Sequence, residues 1–294
     1  MTIHRPSLEE ETITKWTDDR VRWHGEELED DAGAEEEQAY MDPFRDQNPF
    51  EMFRFEFNVR CDDDDDGTTT TATSTTTIPI ELRGYKTDAD EIWKSTGLTI
   101  WKAAETLGHY MAKNSKLFRN QTVLELGAGL GLCGILAHRL GTSKTCITDG
   151  DSDALPLLKE NLERNNRQSN ENDNDNLPST ASVHQLIWGK ETTQAFAKRH
   201  HQTFPVILAS DIIYARCIVE PLWDTVSTLL EKTKSAKFIM AYFSKRKVNV
   251  TIDVVLEYAQ QTGFDYELVE QDADGVHVYI FQWKEVVEEE ETFV

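Results

Sequence analysis

The alternation of apolar and polar positions changes character along the chain. Met52 to Arg60, MFRFEFNVR, alternates aromatic and polar side chains, the period-two pattern of a strand that buries one face, and Ile78 to Arg83, IPIELR, reads as a second strand. The tract between them, CDDDDDGTTTTATSTTT, has almost nothing from which to build a core, so the pair is predicted as one hairpin with an overgrown connection. From Thr96 the period lengthens. Leu98, Trp101, Ala104, Leu107 and Met111 recur at three- and four-residue steps, which predicts a helix with one apolar face.

Short apolar runs then alternate with helical segments. Strands are predicted at Thr122 to Leu126, Lys144 to Thr148, Val183 to Trp188, Val206 to Ser210 and Phe238 to Tyr242. Between them fall helices running through Leu140, from Asp153, around Glu191 to Arg199, around Pro221 to Lys232, and to a stop near Gly263. A polar loop rich in Asn and Asp covers Gln168 to Thr180. Tyr266 to Glu270 and His277 to Trp283 close the chain as two strands joined across Asp274-Gly275, a strong hairpin signal. Such alternation argues for an α/β fold: a Rossmann-like, doubly wound seven-stranded sheet with helices on both faces and an antiparallel C-terminal hairpin. The expected organisation is an acidic extension over 1–50, an N-terminal β-hairpin over 51–95, the α/β domain over 96–284 and an acidic tail over 285–294.

Charge narrows the partners. The formal net charge is −23, with runs at Glu35 to Glu37, Asp62 to Asp66 and Glu288 to Glu291 that read as solvated tails. Duplex nucleic acid is excluded as a direct partner, because phosphate binding needs a basic surface. Met1 leads into polar residues, and no apolar run approaches the ~20 residues of a membrane helix, so a soluble cytoplasmic protein is expected, with nuclear entry left open. Cys61, Cys133, Cys146 and Cys217 form no CxxC pair and are read as reduced. His200-His201 has no neighbouring metal-ligand spacing, and no metal is expected.

The densest chemistry lies in VLELGAGLGLCG, Val123 to Gly134. Gly129, Gly131 and Gly134 fit the G-x-G-x-x-G spacing of a dinucleotide site, so glycine spacing alone leaves a dehydrogenase open. The carboxylates separate the two readings. A diphosphate wants a neutral or positive cradle at the helix start, whereas Glu125 stands two residues before the first glycine. S-adenosylmethionine carries a sulfonium and an ammonium group and no phosphate, which suits an acid there. Gly127 and Gly129 would let the backbone approach its methionine portion. Asp149 ends the next strand, where it would accept from the ribose hydroxyls, with Asp151 and Asp153 as rivals in the run DGDSD.

Several segments together resemble the seven-β-strand protein-lysine methyltransferases, in particular the branch that modifies chaperones and translation factors: TGLTIWKAAETL, VLELGAGLGLCG, ITD, LIWG, SDIIY and GVHVYIF. The likeness runs from about Phe53 to Trp283 and omits the Asp/Thr tract. It implies S-adenosylmethionine as cofactor and the lysine side chain of a protein partner as acceptor. It places Trp101 on the cofactor pocket, Gly127, Ala128 and Gly129 on the methionine part, Asp149 on the ribose, Trp188 on the adenine and Ser210 on the pocket border. Asp211 and Tyr214 would form the acceptor end; Asp211 could otherwise cap the helix that follows. The fold leaves open another N-nucleophile as acceptor (a small amine, arginine or histidine) or a non-catalytic binding protein with acidic tails.

Overall fold

A computed structural model of the chain describes residues 48–61, 74–87, 95–170, 180–200 and 202–284. The expected acidic extension up to residue 47, the Asp/Thr tract at 62–73, most of the Asn/Asp loop, His201 and the acidic tail lie outside the described residues.

β1 (Phe50–Cys61) and β2 (Ser74–Tyr85) pair antiparallel as the predicted hairpin, in register from Phe50 opposite Tyr85 to Cys61 opposite Ser74. The central sheet takes β3 (Thr122–Leu126), β4 (Lys144–Asp149), β5 (Ala181–Gln185), β6 (Val206–Ser210), β7 (Lys237–Phe243), β8 (Phe264–Gln271) and β9 (Val276–Trp283). Their order is β5-β4-β3-β6-β7-β9-β8, parallel through β7, with β9 antiparallel to both β7 and β8. The order therefore reverses between β3 and β6, the place where open α/β sheets hold their ligands.

Both faces of the central strands are buried, so these strands read as continuous apolar runs and side chains sort by alternation. Val123, Ile147, Val206, Leu208 and Ile239 face a layer of α1 (Lys102–Lys113), α2 (Leu132–Arg139), α3 (Leu155–Asn170) and the β1–β2 hairpin. Leu124, Leu126, Cys146, Ile207, Phe238 and Met240 face α4 (Lys190–His200), α5 (Val219–Leu229) and α6 (Ile252–Gln261). Among the described residues no helix is long and apolar enough to cross a membrane.

Three boundaries differ from the sequence pattern. Leu98 and Trp101 fit helical spacing, yet Thr96–Leu98 is a short 3-10 turn, Thr99 is extended (φ −131°, ψ 173°), and the helix starts at Lys102 with Trp101 as its extended N-cap. β5 ends at Gln185 rather than Trp188; Leu186 N–H still donates to the Asp149 carbonyl, after which the chain leaves the sheet. α5 stops at Leu229, short of Lys232, because Leu230 turns extended and bridges to Phe204.

The hairpin is bound to the domain by backbone recognition as well as by apolar packing. Phe57, Ile80 and Leu82 are fully buried, and Phe57 lies over Gly108 of α1, where an added Cβ would come within 2.5 Å of its ring. Asn161 and Asn165, one turn apart on α3 and fully buried, present their amides to the free edge of β2. Asn161 accepts from Arg83 N–H (2.7 Å) and donates to the Arg83 carbonyl (3.0 Å), and Asn165 does the same with Glu81 (3.1 and 2.8 Å). Two side chains thus stand where a neighbouring strand would, satisfying an edge that would otherwise invite pairing with another chain. Asn161 also donates to the Leu130 carbonyl at 3.2 Å, which joins the hairpin to the glycine loop. Replacing it with Ala strands buried donors and acceptors at about 1–3 kcal/mol each. Asn161→Ala is therefore expected to lower stability by about 2–4 kcal/mol in urea unfolding; a loss under about 0.5 kcal/mol would show that the edge is satisfied by water.

Candidate cofactor and acceptor site

Beyond Leu126 the chain must reverse into α2 within a few residues. Gly127 and Gly129 make this possible with φ of 63° and 52°, left-handed values that strain residues bearing a Cβ. Room is short as well. A Cβ on Gly127 would lie 2.8 Å from Ile212 Cγ2 and 3.2 Å from Trp188 Cζ2, and one on Gly129 would lie 3.2 Å from the Gly97 carbonyl oxygen. Ala128 fixes the loop to the next strand through its N–H and the Thr148 carbonyl (2.9 Å).

Two acids hold this loop from different sides. Glu125 lies beneath it, 1% exposed, and Oε2 accepts from Gly134 N–H (2.8 Å) in the first turn of α2. Desolvation pushes its carboxyl up to about 8, Asp149 adds to the rise, and the Gly134 and Cys133 N–H groups oppose it. Asp149 ends β4 half-buried; Oδ2 accepts from Gly129 N–H (2.8 Å) and Oδ1 from Asp151 N–H (2.9 Å). Burial raises its carboxyl above the usual range against those bonds. Asp151 accepts from Asp153 N–H (2.9 Å), and Asp153 is exposed.

The remaining predicted residues meet the loop from other elements. Trp188 reaches Gly127 from the segment after β5. Ser210 ends β6; burial pushes the Cys133 thiol up, Ser210 opposes that rise, and the thiol donates to the Ala104 carbonyl (3.5 Å). Asp211 follows in a left-handed conformation (φ 55°), 8% exposed; its N–H donates to the Ala241 carbonyl (3.0 Å), and Oδ2 accepts from Ala103 N–H (3.2 Å) at the start of α1. It thus caps the earlier helix α1. Desolvation raises its carboxyl, opposed by Arg246 and by the N–H groups of Ala103 and Phe243. Tyr214, 37% exposed, stands at the rim, and burial followed by the charge of Asp149 raises its phenol. Trp101 anchors its indole N–H on the Thr96 carbonyl (2.8 Å), and the Arg246 guanidinium lies over its ring at 4.1 Å. His200 packs instead against the rings of His184 and Phe196 (4.6 and 4.3 Å).

Trp101, Gly127, Ala128, Gly129, Asp149, Trp188, Ser210, Asp211 and Tyr214 therefore gather around the ends of β3, β4, β5 and β6 and the start of α1, with Glu125 one layer below. Sequence reasoning missed two participants. Gly97 closes on the loop, where an added Cβ would lie 3.5 Å from Gly129 Cα and 3.7 Å from Asp149 Oδ2; the turn-like TG pair was the available signal. Arg246 sits inside SKRK, a run that reads as solvated charge.

The donor set fits S-adenosylmethionine. Among the described residues no Lys or Arg is bonded to the carboxylates of Glu125 or Asp149, so the loop offers nothing to neutralise a diphosphate. Asp149 keeps lone pairs free at the strand end to accept from a diol, and the loop leaves little space for a side chain at Gly127 or Gly129.

A model described as lysine methyltransferase matches residues 86–252. The chain is 30% identical over 173 residues to the protein-lysine N-methyltransferase EFM3 of Chaetomium thermophilum, a match covering 58% of this chain and 48% of that protein. It is 34% identical over 154 residues to the protein N-lysine methyltransferase METTL21A of Xenopus tropicalis (50% and 61% covered). It is 27% identical over 178 residues to the calmodulin-lysine N-methyltransferase of Arabidopsis thaliana (60% and 54%). The chain thus spans about half to three fifths of the length of the curated relatives it matches.

The buried acid under the loop gives stability a pH dependence of definite sign. Folded, Glu125 keeps its proton to about pH 8; unfolded, it loses it near 4.5. Through that window the folded chain binds more protons than the unfolded one, so this carboxyl weakens folding as pH rises. Glu125→Gln has no proton to lose. Its melting temperature is expected to fall several degrees less than the wild type's between about pH 5 and about pH 9, and parallel curves would return Glu125 to an ordinary carboxyl.

Proposed function

The chain belongs to the lysine methyltransferase family, and from that membership we propose that it is an S-adenosylmethionine-dependent N-methyltransferase acting on a lysine side chain of another protein. The observation that carries the reading is the joining of two half-sites at one sheet end: a glycine loop pinned by Asp149, and the Asp211–Tyr214 turn beside it. Support for a protein acceptor comes from the relatives, whose names are those of protein-lysine methyltransferases. We place the substrate among chaperones or translation factors, and the reaction in the cytoplasm.

When bound, S-adenosylmethionine supplies a methyl group whose carbon is made electrophilic by sulfonium. Asp149 would hold the ribose, Trp188 would lie against the adenine, and Gly127, Ala128 and Gly129 would receive the methionine part with backbone alone. Trp101 would wall the pocket from the start of α1, and Ser210 would border it. Glu125 would act from below, keeping the first turn of α2 in place through Gly134.

The acceptor amine, with an ordinary pKa of ~10.4, must be neutral to attack. Asp211 is already committed to Ala103 N–H and is buried, so its role is to orient the amine rather than to remove its proton. Tyr214 at the rim keeps its phenolic proton and offers its oxygen as a second point of alignment. Alignment of this kind is worth much of an in-line transfer, since a displacement of ~1 Å can cost ~10²-fold.

Incubation of the full chain with labelled S-adenosylmethionine and a cell lysate is expected to label a discrete protein band, with the methyl group on lysine by mass spectrometry. Asp211→Asn, which retains an acceptor for Ala103, is expected to lower turnover by about 10²-fold, and Tyr214→Phe by about tenfold. S-adenosylhomocysteine binding without any labelled protein would remove the lysine acceptor from the reading. Wild-type turnover in both variants would remove the two residues from the transfer.

A further inference from the structure

Asp211 holds a left-handed backbone without being glycine, and such a residue persists only where its surroundings over-determine it. Three bonds do so. Its N–H is held by the Ala241 carbonyl, its carboxylate by the Ala103 N–H, and its carbonyl by Arg246 Nη1 at 3.1 Å. The first two partners are backbone groups, built into β7 and α1. Arg246 alone acts through a side chain.

That side chain has a second attachment. The guanidinium lies over the Trp101 ring at 4.1 Å, and Nη1 is also 3.8 Å from Asp211 Oδ1. Trp101 in turn is bonded to Thr96, whose neighbour Gly97 closes on Gly129 of the glycine loop. Arg246 is turned inward, 18% exposed along its side chain, while Lys245 and Lys247 on either side are exposed. The planar fork of arginine suits such a place: one face stacks on an indole while an edge donates to a carbonyl, which an ammonium cannot do at once.

We propose that Arg246 is a positioning residue for methyl transfer, one guanidinium that ties the Asp211 turn at the acceptor end to the Trp101 wall at the donor end and keeps the two in register. The inference rests on the methyltransferase reading above. Its electrostatic consequence involves few groups. Arg246 faces Asp211 from the connection after β7, Tyr242 from β7 itself, and Tyr214 stands on the same turn. α1 contributes the Ala103 N–H, its Lys102 being paired with Asp274 at 2.6 Å. Among the described residues, removal of Arg246 leaves Asp211 facing the Tyr242 phenol and no cation.

Arg246→Met in the full chain keeps the aliphatic bulk and loses the fork. Asp211 is expected to titrate at higher pH in carbon-13 carboxyl spectra, its signal assigned by difference from Asp211→Asn. With labelled S-adenosylmethionine and the lysate band labelled by the wild type, kcat is expected to fall about tenfold and the acid limb of its pH profile to move upward, while KM for the donor changes about threefold or less. Arg246→Lys keeps the charge, so Asp211 should titrate as in the wild type while kcat still falls. An unchanged Asp211 titration in folded Arg246→Met overturns the proposal. If Arg246→Met fails to fold by circular dichroism, wild-type kcat in Arg246→Lys overturns it instead. Should the wild type label no protein at all, the protein-acceptor reading fails, and the Asp211 titration still decides whether Arg246 holds the turn.

Discussion

Backbone passes close to backbone where Gly129 meets Gly97, and the upper end of the sheet is arranged around that approach. A Cβ on Gly129 would lie 3.2 Å from the Gly97 oxygen; a Cβ on Gly97 would lie 2.9 Å from Ala154. Neither chain segment can bring a side chain to the crossing, so the recognition there falls to N–H and carbonyl groups and to the one carboxylate, Asp149, that reaches in from β4. The segment bearing Gly97 then continues to Trp101 and the start of α1, whose second N–H donates to Asp211. Donor loop and acceptor turn are thereby parts of one tightly packed unit.

Electrostatics at this end are unusual for what they lack. Glu125, Asp149 and Asp211 are all withdrawn from water, and all three are shifted toward the protonated form by that withdrawal. Each is held by backbone N–H groups, two of the three at the first turn of a helix, where the helix dipole favours negative charge. Arg246 is the cation that reaches Asp211. A site so built pays a folding penalty for its acids and gains a place where a positively charged ligand is welcome.

Much of the fold was legible because the two faces of each central strand are apolar and short. Val123 and Leu124 fall on opposite sides, and so do Val206 and Ile207, as period two requires. The same period carried a finer message about Glu125. It shares a face with Val123, the face that α2 covers, which directs its carboxyl under the helix and toward Gly134 instead of out at the strand end. Asn161 and Asn165 were not legible: two polar residues one turn apart read as a solvated helix face, and their partners lie 78 and 84 positions upstream. Trp188 was assigned to a strand because an apolar run cannot reveal where a sheet ends; the chain leaves β5 at Gln185, and that departure carries Trp188 to Gly127.

The docking of the β1–β2 hairpin has a consequence for how this protein can be handled and how it can vary. Its register is held at the base and along the edge, by Phe57 on Gly108 and by the paired asparagine amides, and is complete by Cys61 and Ser74. Doubling the length of a connection costs only about 0.6 kcal/mol of closure entropy, so an epitope, a fluorophore or a surface anchor inserted between Cys61 and Ser74 would leave the strand register to these contacts.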